Sequence, residues 1–473
     1  MSKETKLMKN TAIIAIGNIC TRCISFFMLP LYTSILSTQE YGNVDLVSTY
    51  ATFLMIIMTL QFEQGVFRFL IDSRDCVQKQ KKYITTSCIS IIVVNFIFTI
   101  CALPILLNIN YEYTMYLLLW VMIGSVTSLI LQIPRGLGND TIYAIGSFIS
   151  GASQIILNVL LVAVFHFGTN GMLFSSVISL VFTLIYIAIR LKLWKFINFK
   201  ECDKKCFKEL VKYSFPLIPY TLCWWVINAS DRTIISIALG TAFNGIYAAA
   251  YKFPSLFSMI TNIFQLSWTE SASENVKDSD RDEYYQKIIN KAIRFYSSCN
   301  IGIISVMPFI FDLIIKNDFT AAYLYIPILM TAALFHSISA LYGSIYFAFK
   351  KTNKVAITTL LAAIINIVVN ILFIKNIGLY AAAISSLLAY IVITIIRHID
   401  VQKMIKIKVS GKYIFIESIM YLIVCYSYYT KIQILQICSF ILILPYCIIQ
   451  NKETLLSIIN IGIKKLKLKG DNK

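Results

Sequence analysis

Two long apolar stretches open the chain, between residues 10 and 70. Each runs for about 26 residues, which at 1.5 Å per helical residue is enough to cross a bilayer core of roughly 30 Å. The turn between them is short and polar, Ser37-Thr38-Gln39-Glu40-Tyr41-Gly42-Asn43. Charges interrupt both: Arg22 lies in the first stretch, and Asp45, Glu63 and Arg68 lie in the second. A charge at bilayer depth costs about 2.5–3.5 kcal/mol on insertion scales, so each must face protein or a watery cavity. The spacing allows this. Thr11, Asn18, Arg22 and Ser25 follow one helical face, and Asp45, Thr49, Thr52, Thr59 and Glu63 follow another. Two helices with apolar backs and polar fronts are expected to form a cavity wall; polar packing or an ion pair between helices is the simpler alternative.

The apolar pattern repeats along the whole chain and predicts about fourteen spans by length. They cover 11–36, 44–70, 83–108, 113–133, 141–166, 171–193, 213–239, 243–270, 286–314, 321–349, 355–374, 378–398, 412–430 and 432–450. Pro104, Pro134, Pro216, Pro219, Pro308 and Pro445 fall near expected ends, whereas Pro30, Pro254 and Pro327 fall within spans, where they would bend a helix. The chain is 58% hydrophobic and only 14% charged, with a mean hydropathy of +0.73. A soluble domain is nearer 25% charged. The fold class expected is therefore an all-α polytopic membrane protein. A membrane β-barrel would show short alternating strands, and the pattern has none.

The formal charge of +18 would suit nucleic acid, but its distribution gives a different meaning. Lysines and arginines gather in alternate connections: the N-terminus, 74–82, Arg135, 190–212, 277–291, 350–354, 403–412 and the tail. The intervening connections hold only Lys316, Lys375 and Lys431. By the positive-inside rule the basic set and both termini are cytoplasmic, and no nucleic-acid partner is implied. The basic N-terminus lacks the short apolar core and cleavage site of a signal peptide, so the first run is expected to stay as a span.

The chemistry-bearing residues point away from an enzyme. Cys20 and Cys23 form a Cys-x-x-Cys inside the first span, and Cys202 and Cys206 flank a basic loop; small buried residues are the better reading of both than metal or redox sites. His166, His336 and His398 are too far apart to suggest a metal, and no cofactor is expected. Asp278-Ser279-Asp280 resembles the Asp-x-Asp of glycosyltransferases, but no nucleotide-binding domain surrounds it, so a solvated acidic loop is expected. No catalytic residue is assigned. A phosphate loop of the Gly-x4-Gly-Lys-Ser/Thr type is absent, which fits a secondary transporter rather than an ATPase.

An internal repeat organises the chain. Gly42, before Val44-Asp45-Leu46-Val47, matches Gly245, before Tyr247-Ala248-Ala249-Ala250, an offset of 203 residues from 42 to 245. Gly171-Met172-Leu173-Phe174-Ser175-Ser176 matches Gly378-Leu379-Tyr380-Ala381-Ala382-Ala383, an offset of 207 from 171 to 378. Six spans per repeat means that both halves start on the cytoplasmic side, with substrate expected between them near mid-membrane. The expected domains are a six-helix bundle over 1–199, a second over 200–400, and two further helices with a basic tail over 401–473.

The second half carries the same polar theme. Thr221, Trp225, Asn228, Arg232 and Ser236 share a face of the seventh span, with Asp231 beside them. Lys252, Ser255, Asn262 and Thr269 share a face of the eighth, and Glu270 lies at its inner end. Arg22, Arg68, Arg232 and Lys252 are the candidate anion-binding residues, suited to a phosphate or pyrophosphate. Asp45, Glu63, Asp231 and Glu270 are candidates for charge balance or for a coupling cation. Trp224, Trp225 and Tyr251 are candidates to stack on sugar rings. Later spans carry mainly amides: Asn95, Gln132, Gln154, Asn158, Asn366 and Asn370.

These residues carry a family resemblance. The opening KNTAIIAIGNICTRCISFFMLPLYTSILSTQEYGNVDLVSTY resembles the start of bacterial polysaccharide repeat-unit flippases (the Wzx type). Pro134-Arg135-Gly136-Leu137-Gly138-Asn139 resembles the turn after their fourth span, and Tyr247-Ala248-Ala249-Ala250-Tyr251-Lys252 the opening of their eighth. These motifs are shared in part with multidrug exporters and the lipid II flippase. The resemblance implies a transporter that moves an undecaprenyl-pyrophosphate-linked oligosaccharide to the outer leaflet of the cytoplasmic membrane. It implies coupling to an ion gradient, and a polysaccharide polymerase and chain-length regulator as partners besides membrane lipids. The products implied are O-antigen, capsule or a similar glycan. The family's cavity cations map here onto Arg22, Arg232 and Lys252. A multidrug exporter of the same fold is the nearest alternative, and a membrane-embedded polymerase or glycosyltransferase a more distant one.

Overall fold

The computed structural model describes residues 26–109, 111–408 and 410–452, and these contain helices and turns with no strand. The first expected span, including Arg22, lies largely outside the described residues. Two compact units emerge. One holds the described residues up to Ala249 together with Lys316–Phe319; the other holds Ala250–Ile315 and the chain from Thr320 onward. These two contact units divide near residue 250, inside a helix.

In the first unit, α1 (Leu29–Ile35) has Pro30 in its first turn, where a missing N–H does no harm. α2 (Thr38–Met58) starts from a reciprocal cap: the Glu40 N–H donates to Ser37 Oγ at 3.2 Å, and the Ser37 N–H donates to Glu40 Oε2 at 2.8 Å. The expected continuous span 44–70 is broken. α2 and α3 (Phe62–Asp72) meet at a 50° bend. Leu60 and Gln61 at the bend are left-handed, with φ of 50° and 54°. Neither is glycine, so composition gave no sign of the break. α4 (Val77–Ile109), α5 (Thr114–Gly136), α6 (Asp140–Asn158) and α7 (Gly168–Leu191) follow, with a wide π turn over Val159–Val164 after α6. Phe62, Val66 and Leu70 of α3 pack with Ile84, Leu129, Ile133 and Ile187 as the core of this unit.

The basic stretch expected as a loop contains an amphipathic helix, α8 (Lys204–Ser214). Cys206, Leu210 and Ser214 face inward, while Lys204, Lys205, Lys208 and Lys212 are exposed. Asp203 caps it through the Lys205 N–H at 2.7 Å and takes the Lys82 ammonium at 3.1 Å. The Lys205 N–H, and then Lys82, hold the Asp203 carboxyl below the usual carboxylate range. α9 (Leu217–Ala238) and the first part of α10 (Thr241–Glu274) complete the unit.

The second unit takes the remainder of α10 with α11 (Arg281–Ile314), α12 (Ile326–Ala348), α13 (Thr352–Ile377), α14 (Leu379–Gln402), α15 (Gly411–Thr430) and α16 (Gln433–Gln450). α14 packs on both α12 and α13, and α15 and α16 pack on α11. The last two helices therefore belong to the core of this unit, although they lie outside the repeat. Nine helices among the described residues are long and apolar enough to span a membrane, and the bent α2–α3 pair makes ten. α9, α10 and α15 are long enough but fall short of that apolar measure.

The repeat is visible in interhelical hydrogen bonds. Asn95 donates to the Met122 carbonyl at 3.5 Å, and Asn300 donates to the Met330 carbonyl at 2.8 Å. Gln154 donates to Ser176 at 2.9 Å, and Asn366 to Ser386 at 3.1 Å. These amides join helices within each unit, as polar residues do in apolar surroundings.

Two helices of the first unit approach closely at a pair of glycines. A Cβ on Gly42 would sit 1.9 Å from the Thr241 carbonyl oxygen, and a Cβ on Gly245 would sit 1.9 Å from the Thr38 carbonyl oxygen. The contact is reciprocal between repeat-equivalent residues and sets backbone against backbone. Gly65 is also tight, but its Cβ would meet the Ser214 hydroxyl oxygen, at 2.5 Å, which a side-chain rotation relieves. The prediction is that Gly42→Ala destabilises by about 1–3 kcal/mol through overpacking, and Gly65→Ala by less. Thermal melting of the purified chain in detergent measures both, and equal melting of the two variants would refute the backbone crossing.

Candidate functional site

The polar faces expected of the second and seventh spans meet in the first unit. Thr221 Oγ1 donates to Gln61 Oε1 at 3.2 Å, Trp225 Nε1 to the Thr49 carbonyl at 3.2 Å, and Arg232 Nε to Asp45 Oδ2 at 2.7 Å. As positions rise along α9 their partners fall from 61 to 45, so α9 and α2 run antiparallel. The Trp225 ring also lies 4.6 Å from the Phe53 ring. Trp224 and Asn228 have side chains outside the described residues.

Asp45 is the hub of this face. It accepts from Arg232 of α9 and from Asn244 of α10, the latter at 3.3 Å. The same Asn244 amide donates to the Gly42 carbonyl at 3.0 Å. One carboxylate and one amide thus tie α2, α9 and α10 together beside the glycine crossing. Arg232 and Asp45 side chains are 15% and 22% exposed, so solvent screens the pair only weakly. Asp231 adjoins Arg232 in sequence but serves another contact: it is buried and accepts from the Tyr247 hydroxyl at 2.9 Å.

The other candidates are placed differently. Glu63 sits in the first turn of α3, where the helix dipole favours a carboxylate. Its Oε2 is buried with no hydrogen-bond partner among the described residues. Arg68 forms an exposed pair with Asp72, one turn along α3, at 2.5 Å. It is therefore committed to its own helix rather than to the polar face of α9. Lys252 and Tyr251 are half-buried on α10, and Glu270 is exposed near the end of that helix; all three belong to the second unit. Sequence reasoning missed Gln61, Asn244 and Tyr247. The repeat held the signal for Asn244, since a polar side chain beside Gly245 can reach the backbone that the glycine approaches.

Chemically, apart from Glu40 and the exposed Arg68–Asp72 pair, the arrangement places the Arg232 guanidinium and the carboxylates of Asp45, Glu63 and Asp231 on α2, α3 and α9. Arg232 presents a donor fork suited to phosphate or carboxylate, with one arm held by Asp45. The prediction is that Asp45→Ala and Arg232→Ala each lower thermal stability, with a coupling of about 0.5–3 kcal/mol between them. A double-mutant cycle measured by thermal unfolding checks this, and additive effects would show that the pair contributes no interaction energy.

This fold is that of polytopic helical transporters. The chain is similar to the lipid II flippase MurJ in an inward closed conformation, with a TM-score of 0.70 and 16% identity over 94% of this chain and 100% of that one. It is also similar to an inward-facing multidrug resistance MATE family transporter of the MOP superfamily, with a TM-score of 0.66 and 12% identity over 81% of this chain and 98% of the other. At these identities the likeness establishes the fold alone. No curated protein matches the chain in sequence. The family described as polysaccharide biosynthesis protein matches residues 7–268, more than half of the chain, and the chain belongs to that family.

Proposed function

We propose that this protein is a flippase for polyprenyl-pyrophosphate-linked oligosaccharides in the bacterial cytoplasmic membrane, with both termini cytoplasmic. It moves its cargo from the inner to the outer leaflet by alternating access. Membership of the polysaccharide biosynthesis family carries this reading. Likeness in fold to a lipid flippase supports it, because that protein's named cargo is lipid II. The geometry adds a guanidinium, Arg232, held on a polar helix face within the expected membrane depth. In this reading Arg232, with Arg22 and Lys252, attracts the pyrophosphate, while the polyprenyl tail stays in lipid. Asp45, Glu63, Asp231 and Glu270 balance charge or bind the coupling cation. The flipped units then pass to a polymerase and a chain-length regulator, to build O-antigen, capsule or a related glycan.

A multidrug exporter is the second reading. It is favoured by the excess of acidic groups near Arg232, which suits a cationic cargo.

The test is mass spectrometry of lipid-linked oligosaccharides in a strain lacking the protein, with surface glycan scored in parallel. The expected result is accumulated polyprenyl-pyrophosphate units and lost glycan. Arg22→Ala and Arg232→Ala should fail to restore the glycan at normal membrane levels of protein. Unchanged glycolipid pools with new sensitivity to cationic drugs would favour the exporter. Full complementation by both variants would remove the anion role.

A further inference from the structure

One half-buried guanidinium of the first unit has no acceptor. Arg135 lies in the last turn of α5, and its Cζ sits over the Phe67 ring of α3 at 4.3 Å and over the Tyr143 ring of α6 at 5.8 Å. Both distances are within reach of a cation–π contact, which engages the flat face of a guanidinium and leaves its N–H edge for another partner. All three residues are half-buried. Among the described residues, however, the Arg135 edge makes no hydrogen bond and no ion pair. Asp140, which opens α6, forms no ion pair with it.

The turn after α5 cannot supply the acceptor, because its carbonyls are taken. The Ile133 carbonyl accepts from the Leu137 N–H at 3.0 Å, and the Pro134 carbonyl from the Asn139 N–H at 2.8 Å. The Arg135 carbonyl accepts from the Gly138 N–H at 3.1 Å. Arg74 Nε fills the Gly136 carbonyl at 2.9 Å, and its Nη2 adds a bond to the Arg135 carbonyl at 3.3 Å. One arginine thus closes the helix end, and the other is left over. The helix dipole favours a cation at this end, but it gives the donors of Arg135 no oxygen to meet.

The other arginines are provided for. Arg68, Arg232 and Arg281 each hold a carboxylate, and Arg397 donates to the hydroxyls of Thr358 and Thr359, both at 3.0 Å. Arg190 and Arg294 are exposed, where water serves their donors. Arg135 is the half-buried arginine that the described residues do not satisfy, and polar groups removed from water normally have partners.

The chemistry of the missing partner follows from the fork. A guanidinium carries five donors and no acceptor, and two parallel N–H groups match two oxygens of a phosphate. Arg74 on the same turn adds a second positive charge. Both arginines belong to the basic connections expected on the cytoplasmic side, where phosphates of lipid head groups and of soluble compounds are at hand.

We infer that the α5–α6 turn is a phosphate-binding site, with the Arg135 fork as its donor and Phe67 and Tyr143 holding the fork in place. An anionic phospholipid head group and a soluble diphosphate share this chemistry. The site uses none of the residues assigned to cargo, and the inference stands apart from the proposed transport activity.

The test uses the full chain in phosphatidylcholine nanodiscs with two probes. Phosphatidylglycerol in the bilayer is followed by native mass spectrometry, and inorganic pyrophosphate in solution by calorimetry. Pyrophosphate also suits the proposed cargo residues, so only the binding lost in Arg135→Gln counts. The expected result is saturable binding of at least one probe, weakened roughly tenfold in Arg135→Gln, as suits the loss of a bidentate charge-assisted pair. Arg135→Lys keeps the charge but lacks the planar fork, and should weaken binding too. Arg190→Gln removes the same charge from an exposed position and should leave binding unchanged. Thermal melting confirms that each variant is folded. Phosphatidylglycerol retention without pyrophosphate binding assigns the site to lipid head groups, and the reverse assigns it to soluble phosphates. Binding of neither probe, or equal binding by the wild type and Arg135→Gln, would overturn the inference. An equal loss in Arg190→Gln would overturn it as well, by marking a bulk effect of charge.

Discussion

The contact of Gly42 with Gly245 constrains the first unit more than any other. Two helices can bring their backbones this close only where neither carries a Cβ. A glycine inside a helix costs about 0.5–1 kcal/mol relative to alanine, so the close approach must return at least that much. It does so by bringing polar groups within reach. Asn244 spans from α10 to the Gly42 carbonyl and to Asp45, and Asp45 in turn holds Arg232. A wider crossing would leave Asn244 short of both acceptors and Asp45 with a single donor. The glycines therefore fix the distance at which the charged face of α2 and α9 is assembled.

The repeat explains why this contact is reciprocal. Equivalent residues of two parallel repeats meet where an approximate two-fold relates them, and each must then satisfy the other's geometry. Gly42 faces Thr241, and Gly245 faces Thr38, at the same 1.9 Å for an added Cβ. The amides Asn95 and Asn300 repeat the relation within separate units. The side chains around the crossing have nevertheless diverged: Asp45 has Ala248 as its counterpart, and Tyr41 has Asn244. Repetition supplied the backbone frame, and divergence supplied the polar chemistry on it.

Much of this could be read from the sequence, for identifiable reasons. Span length and helical spacing are local properties, so the helices and the polar faces of Asp45–Thr49 and Thr221–Trp225–Arg232 were legible. The repeat named Gly42 and Gly245 as equivalents, although not as neighbours. The break at Leu60–Gln61 was not legible, because two ordinary residues adopt left-handed angles there under tertiary constraint. The contact units divide near residue 250 because α9 and the start of α10 pack onto α2, a preference that hydropathy does not encode. The basic connection hid α8, since lysines mask its single buried stripe of Cys206, Leu210 and Ser214. Arg68 shows the limit of reasoning from charge alone. Its partner Asp72 lay one turn away, and an exposed pair of that kind contributes little.

The Arg232–Asp45 pair also bears on how an anionic cargo would be handled. Apart from Glu40 at the start of α2 and the exposed Arg68–Asp72 pair of α3, the described residues of α2, α3 and α9 carry Asp45, Glu63 and Asp231 against Arg232. A pyrophosphate approaching Arg232 competes with Asp45 for the same guanidinium, because the carboxylate already holds Nε at 2.7 Å. The competitor's advantage is charge: a pyrophosphate offers more acceptor oxygens and a higher negative charge than one carboxylate. Its disadvantage is that displaced Asp45 retains only Asn244, so it must take a proton or a cation to remain in place. Under the proposed function, cargo binding and cation uptake are therefore linked at one residue. A ligand shifts an equilibrium only through its differential affinity for two states, and here the difference is whether Asp45 is paired with Arg232 or with a cation. Under the proposed function, then, the pair would let an ion gradient act on the anion site without a second, separate machinery.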